Sequence, residues 1–469
     1  MRKKSFGISL FLAVLIFCFL APTRIPAKEL YWPEVIEIET PNAIIMEEST
    51  GTILFEKNIE EAHYPASITK IMTAIIALEN GNMSDTVVFS KDAVYKTEGS
   101  GIARDVDEEM TLEQCMYAML LESANECAYA IAEHVGGTYD NFIRMMNEKA
   151  EELGCINTHF TNPHGLPDED HYTCCYDMAL ISREAWKNET FRIMTGTIRY
   201  EIPPTNKHKD ITYLQNHNAM LNNYKTAEYL YEPCVGGKTG YTIAAGNTLV
   251  TYAQKNQMTL ICVVMNTTAP LHWTESEALF EHCFENFGLM NIKENETRFS
   301  STSASSGELN TGLPFADLSE KENVVLPLTA EFDDTEPEVV SGSDGEDQLG
   351  EIVYHYADHV VGKTAILAMH PAIEPYPFQV VLEPGENFVP EVQEESTEEK
   401  SPFGFPTGLL IIILVAAAVI LVVVFLLVKF SPKFYLVREK YYRWKNQKNP
   451  YRTIHTQSKG PRFRGRRRR

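Results

Sequence analysis

A run of 20 apolar residues, 409–428, constrains the fold of this 469-residue chain more than any other feature. As a helix rising about 1.5 Å per residue it would be about 30 Å long, the thickness of the hydrocarbon core of a bilayer. A buried core helix is the alternative. The run contains no polar residue, however, and the basic residues Lys429 and Lys433 follow it directly. We therefore expect a transmembrane helix that divides the chain between two compartments.

The distribution of charge agrees with this division. Residues 429–469 contain 15 Lys/Arg and one acidic residue, a net charge of +14, whereas residues 28–408 contain 22 basic and 63 acidic residues, a net charge of -41. Because basic flanks stay cytoplasmic, we expect a single-pass protein of the cell membrane with 28–408 outside and the tail 429–469 inside. The acidic body argues against nucleic acid as its partner. The tail could bind anionic lipid or nucleic acid, or serve only as a topology signal.

Residues 1–27 have the pattern of a secretory signal peptide. Arg2, Lys3 and Lys4 precede an apolar run, 8–21, and Ala27 offers a small residue for cleavage. An uncleaved N-terminal anchor is the alternative.

The cysteines are expected to be free thiols. Eight remain after residue 27, and an even number in an exported chain would allow disulfides. Several lie in apolar helical patterns, where cysteine often acts as a small buried apolar residue, and Cys174-Cys175 is adjacent. No spacing of Cys and His suggests zinc, so no metal and no cofactor are expected.

Residues 28–292 mix helix and strand patterns. Two apolar runs around a turn predict a hairpin over 43–58, and 247–266 reads as a second pair of strands. Helical periodicity predicts helices over 67–80, 111–123, 125–137 and 275–288, with glycines ending the last two. Strands at both ends of a helical middle predict an α/β fold whose sheet pairs early with late segments.

The composition changes near residue 293. Short β-type runs over 323–384, interrupted by an acidic, turn-rich insert at 333–350, predict a small β-rich acidic domain over 293–395. A charged linker, 396–408, then leads to the membrane.

Three short motifs carry the candidate chemistry. They are Ser67-Ile68-Thr69-Lys70, Ser123-Ala124-Asn125 and Lys238-Thr239-Gly240. Each alone is weak, since S-x-x-K occurs by chance in most chains of this length. Together, in this order, they match the S-x-x-K, S-x-N and K-T-G triplet of penicillin-binding proteins and serine β-lactamases.

Ser67 and Lys70 have the spacing of a nucleophile and its base. Pro65 and Ala66 precede the predicted helix, so Ser67 lies at its N-terminus, where backbone N–H groups favour developing negative charge. Lys70 is three residues on, hence on the same face. Burial and a nearby Lys238 would favour the neutral amine that can accept the proton of the hydroxyl. An N-cap serine and a solvated lysine are the alternatives.

Ser123 and Asn125 lie at the junction of two predicted helices. There they could relay a proton and hydrogen-bond a substrate amide. Helix capping is the alternative for both.

The third motif precedes a predicted strand. Gly240 would let a substrate backbone lie against the strand edge, with Lys238 and Thr239 facing a terminal carboxylate. The backbone N–H groups of Ser67 and Tyr241 would form an oxyanion hole. No arginine for the carboxylate is evident, and Thr239 and Thr242 are the nearest candidates.

The sequence resembles the low-molecular-mass penicillin-binding proteins, the serine-type D-Ala-D-Ala carboxypeptidases of peptidase family S11. The stretches PASITKIMTA, LLESANECAYAIAEHVGG, FTNPHGLPDEDHYTCCYDMALIS and GGKTGYTIAAGNTLV carry the resemblance, which covers roughly 40–290. It implies an α/β (α+β) serine β-lactamase/transpeptidase-like catalytic domain over 28–292. It also implies removal of the terminal D-alanine from peptidoglycan pentapeptide stems through an acyl-enzyme on Ser67, in cell-wall biogenesis and cell shape, with β-lactam antibiotics as inhibitors.

Two other functions stay open. A β-lactamase would need a carboxylate that activates water, and none is convincing between 155 and 185. A non-catalytic cell-wall scaffold on the same fold is opposed by the intact triplet. His164, between Pro163 and Gly165, could line the site or form a turn. Glu122 and Asp177 are expected to be structural.

Two features depart from the family's pattern. Cys174-Cys175 stands where small or polar residues are common. Many members end in an amphipathic surface helix, whereas this chain has the apolar run 409–428.

Overall fold

The computed structural model describes residues 30–299, 316–341 and 348–368, all within one compact unit. The predicted signal peptide, linker, transmembrane helix and basic tail lie outside these residues. None of the helices in the described part of the chain is both long and apolar enough to cross a bilayer.

The chain begins with strands, continues through a mostly helical middle and ends with a region rich in strands. The strands are β1 (Asn42–Glu47), β2 (Ile53–Lys57), β3 (Thr86–Val88), β4 (Glu109–Thr111), β5 (Arg199–Ile202), β6 (Thr212–Gln215), β7 (Cys234–Thr242), β8 (Gly246–Lys255), β9 (Met258–Thr267), β10 (Phe287–Asn291), β11 (Ala316–Leu318), β12 (Asn323–Pro327), β13 (Glu336–Val340), β14 (Gln348–Tyr356) and β15 (His359–Ala368). The α-helices are α1 (Lys70–Asn80), α2 (Lys91–Tyr95), α3 (Leu112–Leu121), α4 (Asn125–Gly136), α5 (Tyr139–Glu152), α6 (Cys175–Trp186), α7 (Glu189–Gly196), α8 (Leu271–Asn286) and α9 (Ile292–Asn295).

The first sheet is antiparallel, with strand order β2-β1-β9-β8-β7. Strand β1 pairs with β9, Ala43 opposite Val264, so the predicted pairing of early with late segments is confirmed. The predicted hairpins are also confirmed. Between β8 and β9, Asn256 and Gln257 both have positive φ, as a two-residue hairpin turn requires.

The helical middle packs around α1. Every residue of this helix from Lys70 to Ala77 is buried, and burial of each large apolar side chain contributes about 1.5–3 kcal/mol. Helix α3 begins at a capping box formed by Thr111 and Gln114. Helix α4 ends at Gly137, whose φ of 69° is a left-handed C-cap. The fold is therefore the expected mixture of α and β structure.

A second sheet has the order β10-β12-β15-β14-β13, and β11 also pairs with β15. Buried and half-buried positions alternate along β14, as for a strand with one face on a core. The sheet begins earlier than the expected boundary at residue 293. Helix α8 ends at Asn286, and Gly288, predicted to end that helix, is instead the second residue of β10. The β-type run 378–384 lies outside the described residues.

Candidate active site

Ser67 lies in a 3-10 turn, Ala66–Thr69, that leads directly into α1. Ala66 has a φ of 50°, while Ile68 and Thr69 are fully buried and fix the turn to the core. Ser67 remains half-buried, so its hydroxyl is accessible. The turn therefore presents the serine at the helix N-terminus, as the sequence predicted.

Lys70 is fully buried and contacts three oxygen atoms. Its Nζ lies 3.0 Å from the Oγ of Ser67, 2.7 Å from the Oδ1 of Asn125 and 2.6 Å from the backbone O of His164. Burial, and next the charge of Lys238, hold the pKa of Lys70 well below its usual range. The amine is thus poised to be neutral beside the serine hydroxyl.

Ser123 lies in the short connection between α3 and α4, with a φ of 62°. This left-handed backbone, costly for serine, turns its side chain toward β7. The Nζ of Lys238 donates to the Oγ of Ser123 at 3.1 Å and to the carbonyl of Thr239 at 2.8 Å. Burial lowers the pKa of Lys238 to about 7. The two lysines therefore link all three motifs in one cluster.

Strand β7, which carries the third motif, is an edge strand of the first sheet. Its free edge can pair with an extended peptide. The structure adds a second reason for glycine at position 240. A Cβ there would lie 2.3 Å from the Oγ1 of Thr248 and 2.9 Å from the backbone N of Ser67. Glycine is thus required by the close approach of β7 to the serine turn. Thr248 supports that approach by donating to the carbonyl of Pro65 at 2.8 Å.

The remaining predicted residues lie along the end of β7. Thr239 is half-buried, and Tyr241 is 64% exposed. The Oγ1 of Thr242 accepts a hydrogen bond from the backbone N–H of Ala245 at 3.0 Å, so this side chain closes the turn into β8. Thr239 is consequently the better placed of the two threonines to meet a carboxylate.

Sequence reasoning missed several contacts of the site. His164 contributes its backbone carbonyl to Lys70, while its buried ring accepts a hydrogen bond from Leu166. The side-chain N–H of Asn125 donates to the carbonyl of Glu98 at 2.6 Å. The carbonyls of His164 and Glu98 are backbone acceptors, which the identity of a residue does not reveal.

Glu122 and Asp177 have the structural environments expected for them. Glu122 pairs with His217 at 2.9 Å and accepts from the backbone N–H of Gln215. Asp177 accepts from the backbone N–H groups of Ile156 and Asn157.

The cysteines and one polar cluster are further candidate reactive groups of the fold. All eight cysteines that the structure describes are free, as expected. Asp105, Glu108 and His208 could approach one metal ion. Both oxygens of Glu108 already accept hydrogen bonds, one from Arg104 and the other from the backbone N–H of Asp105. Glu108 is therefore better described as the buried ion-pair partner of Arg104.

The chain is similar to known D-alanyl-D-alanine carboxypeptidases. Residues 29–269 match the profile of the S11 peptidase family, described as D-alanyl-D-alanine carboxypeptidase. The carboxypeptidase DacF of Bacillus subtilis is 34% identical over 267 residues, which are 56% of this chain and 66% of DacF. DacB2 of Mycobacterium tuberculosis is 30% identical over 247 residues, which are 51% of this chain and 81% of DacB2.

A solved structure shares the fold. The crystal structure of the carboxypeptidase DacD from Francisella tularensis superposes with a TM-score of 0.55 at 22% identity, covering 73% of this chain and 96% of that one. At this identity the likeness shows the fold alone. Among the sequence relatives, the chain spans just under two thirds of DacF.

Proposed function

Because the chain belongs to the S11 family of D-alanyl-D-alanine carboxypeptidases, we propose that it removes the terminal D-alanine from peptidoglycan pentapeptide stems. Ser67 is the nucleophile, Lys70 its base, and Ser123 the proton relay. Asn125, Lys238, Thr239, Gly240 and Tyr241 bind the substrate. β-Lactam antibiotics are expected to acylate the same serine.

The contact between Lys70 and Ser67 carries this proposal. A neutral lysine has two N–H groups and one lone pair. Asn125 and His164 offer acceptors at 2.7 Å and 2.6 Å, which take up both N–H groups. The lone pair is then left facing the hydroxyl of Ser67 at 3.0 Å. This arrangement, with the low pKa of Lys70, supports a lysine that accepts a proton rather than one that donates it.

Acylation follows from these positions. Lys70 takes the proton of Ser67 as its Oγ bonds to the carbonyl carbon between the two D-alanines. The backbone N–H groups of Ser67 and Tyr241 stabilise the oxyanion. When the C–N bond breaks, the leaving amine receives the proton held by Lys70, passed on through the Oγ of Ser123, which lies 3.1 Å from the amine of Lys238. A water molecule then attacks the ester and gives one proton to Lys70, and Lys70 returns a proton to the Oγ of Ser67 as the ester bond breaks.

The edge of β7 is proposed to hold the substrate backbone. An extended peptide adds to such an edge through main-chain hydrogen bonds. Lys238 and Thr239 face its terminal carboxylate, which also raises the charged fraction of Lys238, since an opposite charge favours the ammonium form. Substrate and protonated lysine thus stabilise one another.

A matched pair of serine variants tests the nucleophile. Full-length protein is mixed with fluorescent penicillin, and D-alanine release is followed from an acylated Lys-D-Ala-D-Ala peptide. Ser67→Ala is expected to lose the adduct and at least about 10³-fold in turnover. Ser84→Ala, at an exposed serine bonded to Asn82, is expected to keep both. An adduct that persists in Ser67→Ala would refute the assignment, and antibiotic hydrolysis without D-alanine release would favour a β-lactamase.

The organisation around the catalytic domain, 28–292, is part of the proposal. We propose that the chain is anchored in the cell membrane by a single helix, 409–428, with the catalytic domain outside and the basic tail inside. The acidic region 293–395 is proposed to form a β-rich domain between them. The second sheet supports this, because its buried residues Val324, Leu326 and Tyr354 form a core of their own. External protease that degrades the tail of intact cells would contradict the topology.

A further inference from the structure

The carboxylate of Glu122 is bound by two groups of one neighbouring segment, 215–217. Glu122 is the C-cap of α3 and directly precedes Ser123, the proposed proton relay. Its Oε1 accepts a hydrogen bond from the backbone N–H of Gln215 at 2.6 Å, and its Oε2 lies 2.9 Å from the Nε2 of His217. An ionised carboxylate has no proton to donate, so the Nε2–H of His217 is the donor. Segment 215–217 therefore holds this side chain at both oxygens.

The segment is itself fixed to the fold on its other side. The side-chain N–H groups of Asn216 donate to two carbonyls at the end of α7, both at 3.0 Å. The Nδ2 of Asn218 lies 3.4 Å from the carbonyl of Gly236 on β7. Both asparagines are buried, whereas His217 between them is half-buried. Since alternate side chains point to opposite sides of such a segment, anchoring the asparagines directs His217 toward Glu122.

These contacts bear on the backbone of Ser123. Its φ of 62° is a conformation that serine adopts only where the surroundings hold it. On either side, the backbone N–H groups of Glu122 and Ala124 both bond to the carbonyl of Ala118, at 3.1 Å and 3.2 Å. The side chain of Glu122 adds a tie from this turn to segment 215–217. The direction of the Ser123 hydroxyl toward Lys238 is thus supported from outside the turn.

The same carboxylate places a negative charge near Lys238. Burial lowers the pKa of Lys238 to about 7, and the charge of Glu122 opposes this effect. Burial would raise the pKa of Glu122, but the hydrogen bonds from His217 and Gln215 and the charge of Lys225 bring it below its usual value. Glu122 is therefore ionised at neutral pH and favours the ammonium form of Lys238.

Two other charged groups lie in the same cluster. Burial is the main cause of the low pKa of Lys70 on α1, the charge of Lys238 lowers it further, and the charge of Glu126 on α4 opposes both. The carboxylate of Glu126 also accepts from the backbone N–H of Ile102 at 2.6 Å. Each lysine thus has its own carboxylate, Glu126 for Lys70 and Glu122 for Lys238.

We propose that the Glu122–His217 pair positions Ser123 and keeps Lys238 charged in the free protein, so that the lysine is ready for the terminal carboxylate of the substrate. This inference rests on the proposed function. Glu122 and His217 act through Ser123 and Lys238, so they are positioning residues rather than catalytic ones. Hydrogen bonds from the pair hold the relay, and its charge holds the ammonium.

Glu122→Gln tests the charge, because glutamine keeps an oxygen that can accept from Gln215. The measurement is kcat/KM for D-alanine release from an acylated Lys-D-Ala-D-Ala peptide by the full-length protein, at pH 6 and pH 8. This quantity reports the groups of the free protein. If the pKa of Lys238 falls by about one further unit, its charged fraction falls about tenfold at pH 8 and less than about twofold at pH 6. The same two ratios are expected for kcat/KM.

Glu122→Ala tests the positioning of Ser123. This variant also removes the acceptor of the Gln215 N–H and is expected to lose about tenfold in kcat at pH 6, which the glutamine variant retains. Glu113→Gln, at an exposed glutamate in the first turn of the same helix, is the matched control and is expected to keep the native values at both pH values. Labelling with fluorescent penicillin at pH 6 shows that each variant has a folded site.

The possible failures are distinguishable. A loss in Glu122→Gln that is equal at pH 6 and pH 8, or no loss at either, would overturn the role of the charge. An equal shift in Glu113→Gln would overturn it as well, because any surface carboxylate would then suffice. Each of these results leaves the carboxypeptidase intact. If the unaltered protein releases no D-alanine, the proposed function itself is refuted, and the inference with it.

Discussion

Replacing Lys238 by methionine is expected to inactivate the protein and to stabilise its fold at low pH. The side chain is fully buried, and burial lowers its pKa from the ordinary 10.5 to about 7. The folded state therefore resists charging of this lysine, whereas the unfolded chain does not. Below pH 7 the lysine is protonated in both the folded and the unfolded state, and the full cost of burying its charge is subtracted from the free energy of unfolding. This cost decreases as the pH rises from 7 toward 10.5.

The magnitude follows from the size of the shift. A change of about 3.5 pH units corresponds to about 5 kcal/mol. Methionine, which has a similar shape, removes this penalty but leaves the hydroxyl of Ser123 without its partner and packs imperfectly, at a cost of about 2 kcal/mol. The variant should be more stable than the native protein by about 3 kcal/mol at pH 6. At pH 9.5 the remaining penalty is only about 1.4 kcal/mol, so the advantage should disappear.

Urea denaturation followed by tryptophan fluorescence at pH 6 and pH 9.5 measures this difference. The matched control is Lys209→Met, an exposed lysine, which is expected to change the free energy of unfolding by less than about 0.5 kcal/mol at either pH. A variant that is less stable than the native protein at pH 6, or a difference that does not change with pH, would refute the reasoning. Fluorescent penicillin should fail to label the variant under both conditions.

Three further changes probe the surroundings of the site. Gly240→Ala places a Cβ 2.3 Å from the Oγ1 of Thr248 and should push β7 away from the serine turn. The rate of acylation by fluorescent penicillin, measured by quenching the reaction at successive times, should fall at least about tenfold. An unchanged rate would contradict the close approach of β7 to the turn. Glu108→Gln breaks a buried ion pair with Arg104 and should lower the free energy of unfolding by about 3 kcal/mol, measured by urea denaturation. Asp177→Ala removes the acceptor of two backbone N–H groups and should cost about 2 kcal/mol in the same assay, while the protein that remains folded still binds penicillin.

Much of the site could be predicted because the spacing of residues along the sequence determines which side chains lie on the same face of a helix. The three-residue interval between Ser67 and Lys70 places them together on any helix. The junction between α3 and α4 follows from the two predicted helices, 111–123 and 125–137, that meet beside Ser123. Strand patterns at both ends of the region similarly predicted the pairing of β1 with β9.

The remaining features depend on the path of the backbone. The carbonyl of His164 meets Lys70 only because the loop 161–168 folds beneath α1. Any residue has a carbonyl, so no side chain signals this contact. The predicted end of α8, at Gly288, is wrong for a related reason. Glycine after a helix suggests a cap, but Gly288 lies in β10, where pairing with Leu326 decides its conformation.

The direct passage from α8 into β10 has a mechanical consequence. Phe287 is at once the C-cap of the helix and the first residue of the strand, and Trp32 packs against it at 5.0 Å. No connecting residue separates α8, which packs on the first sheet, from the second sheet at this joint. We therefore expect a force that turns the second sheet to reach α8 and the first sheet directly, because no linker between them can absorb the rotation.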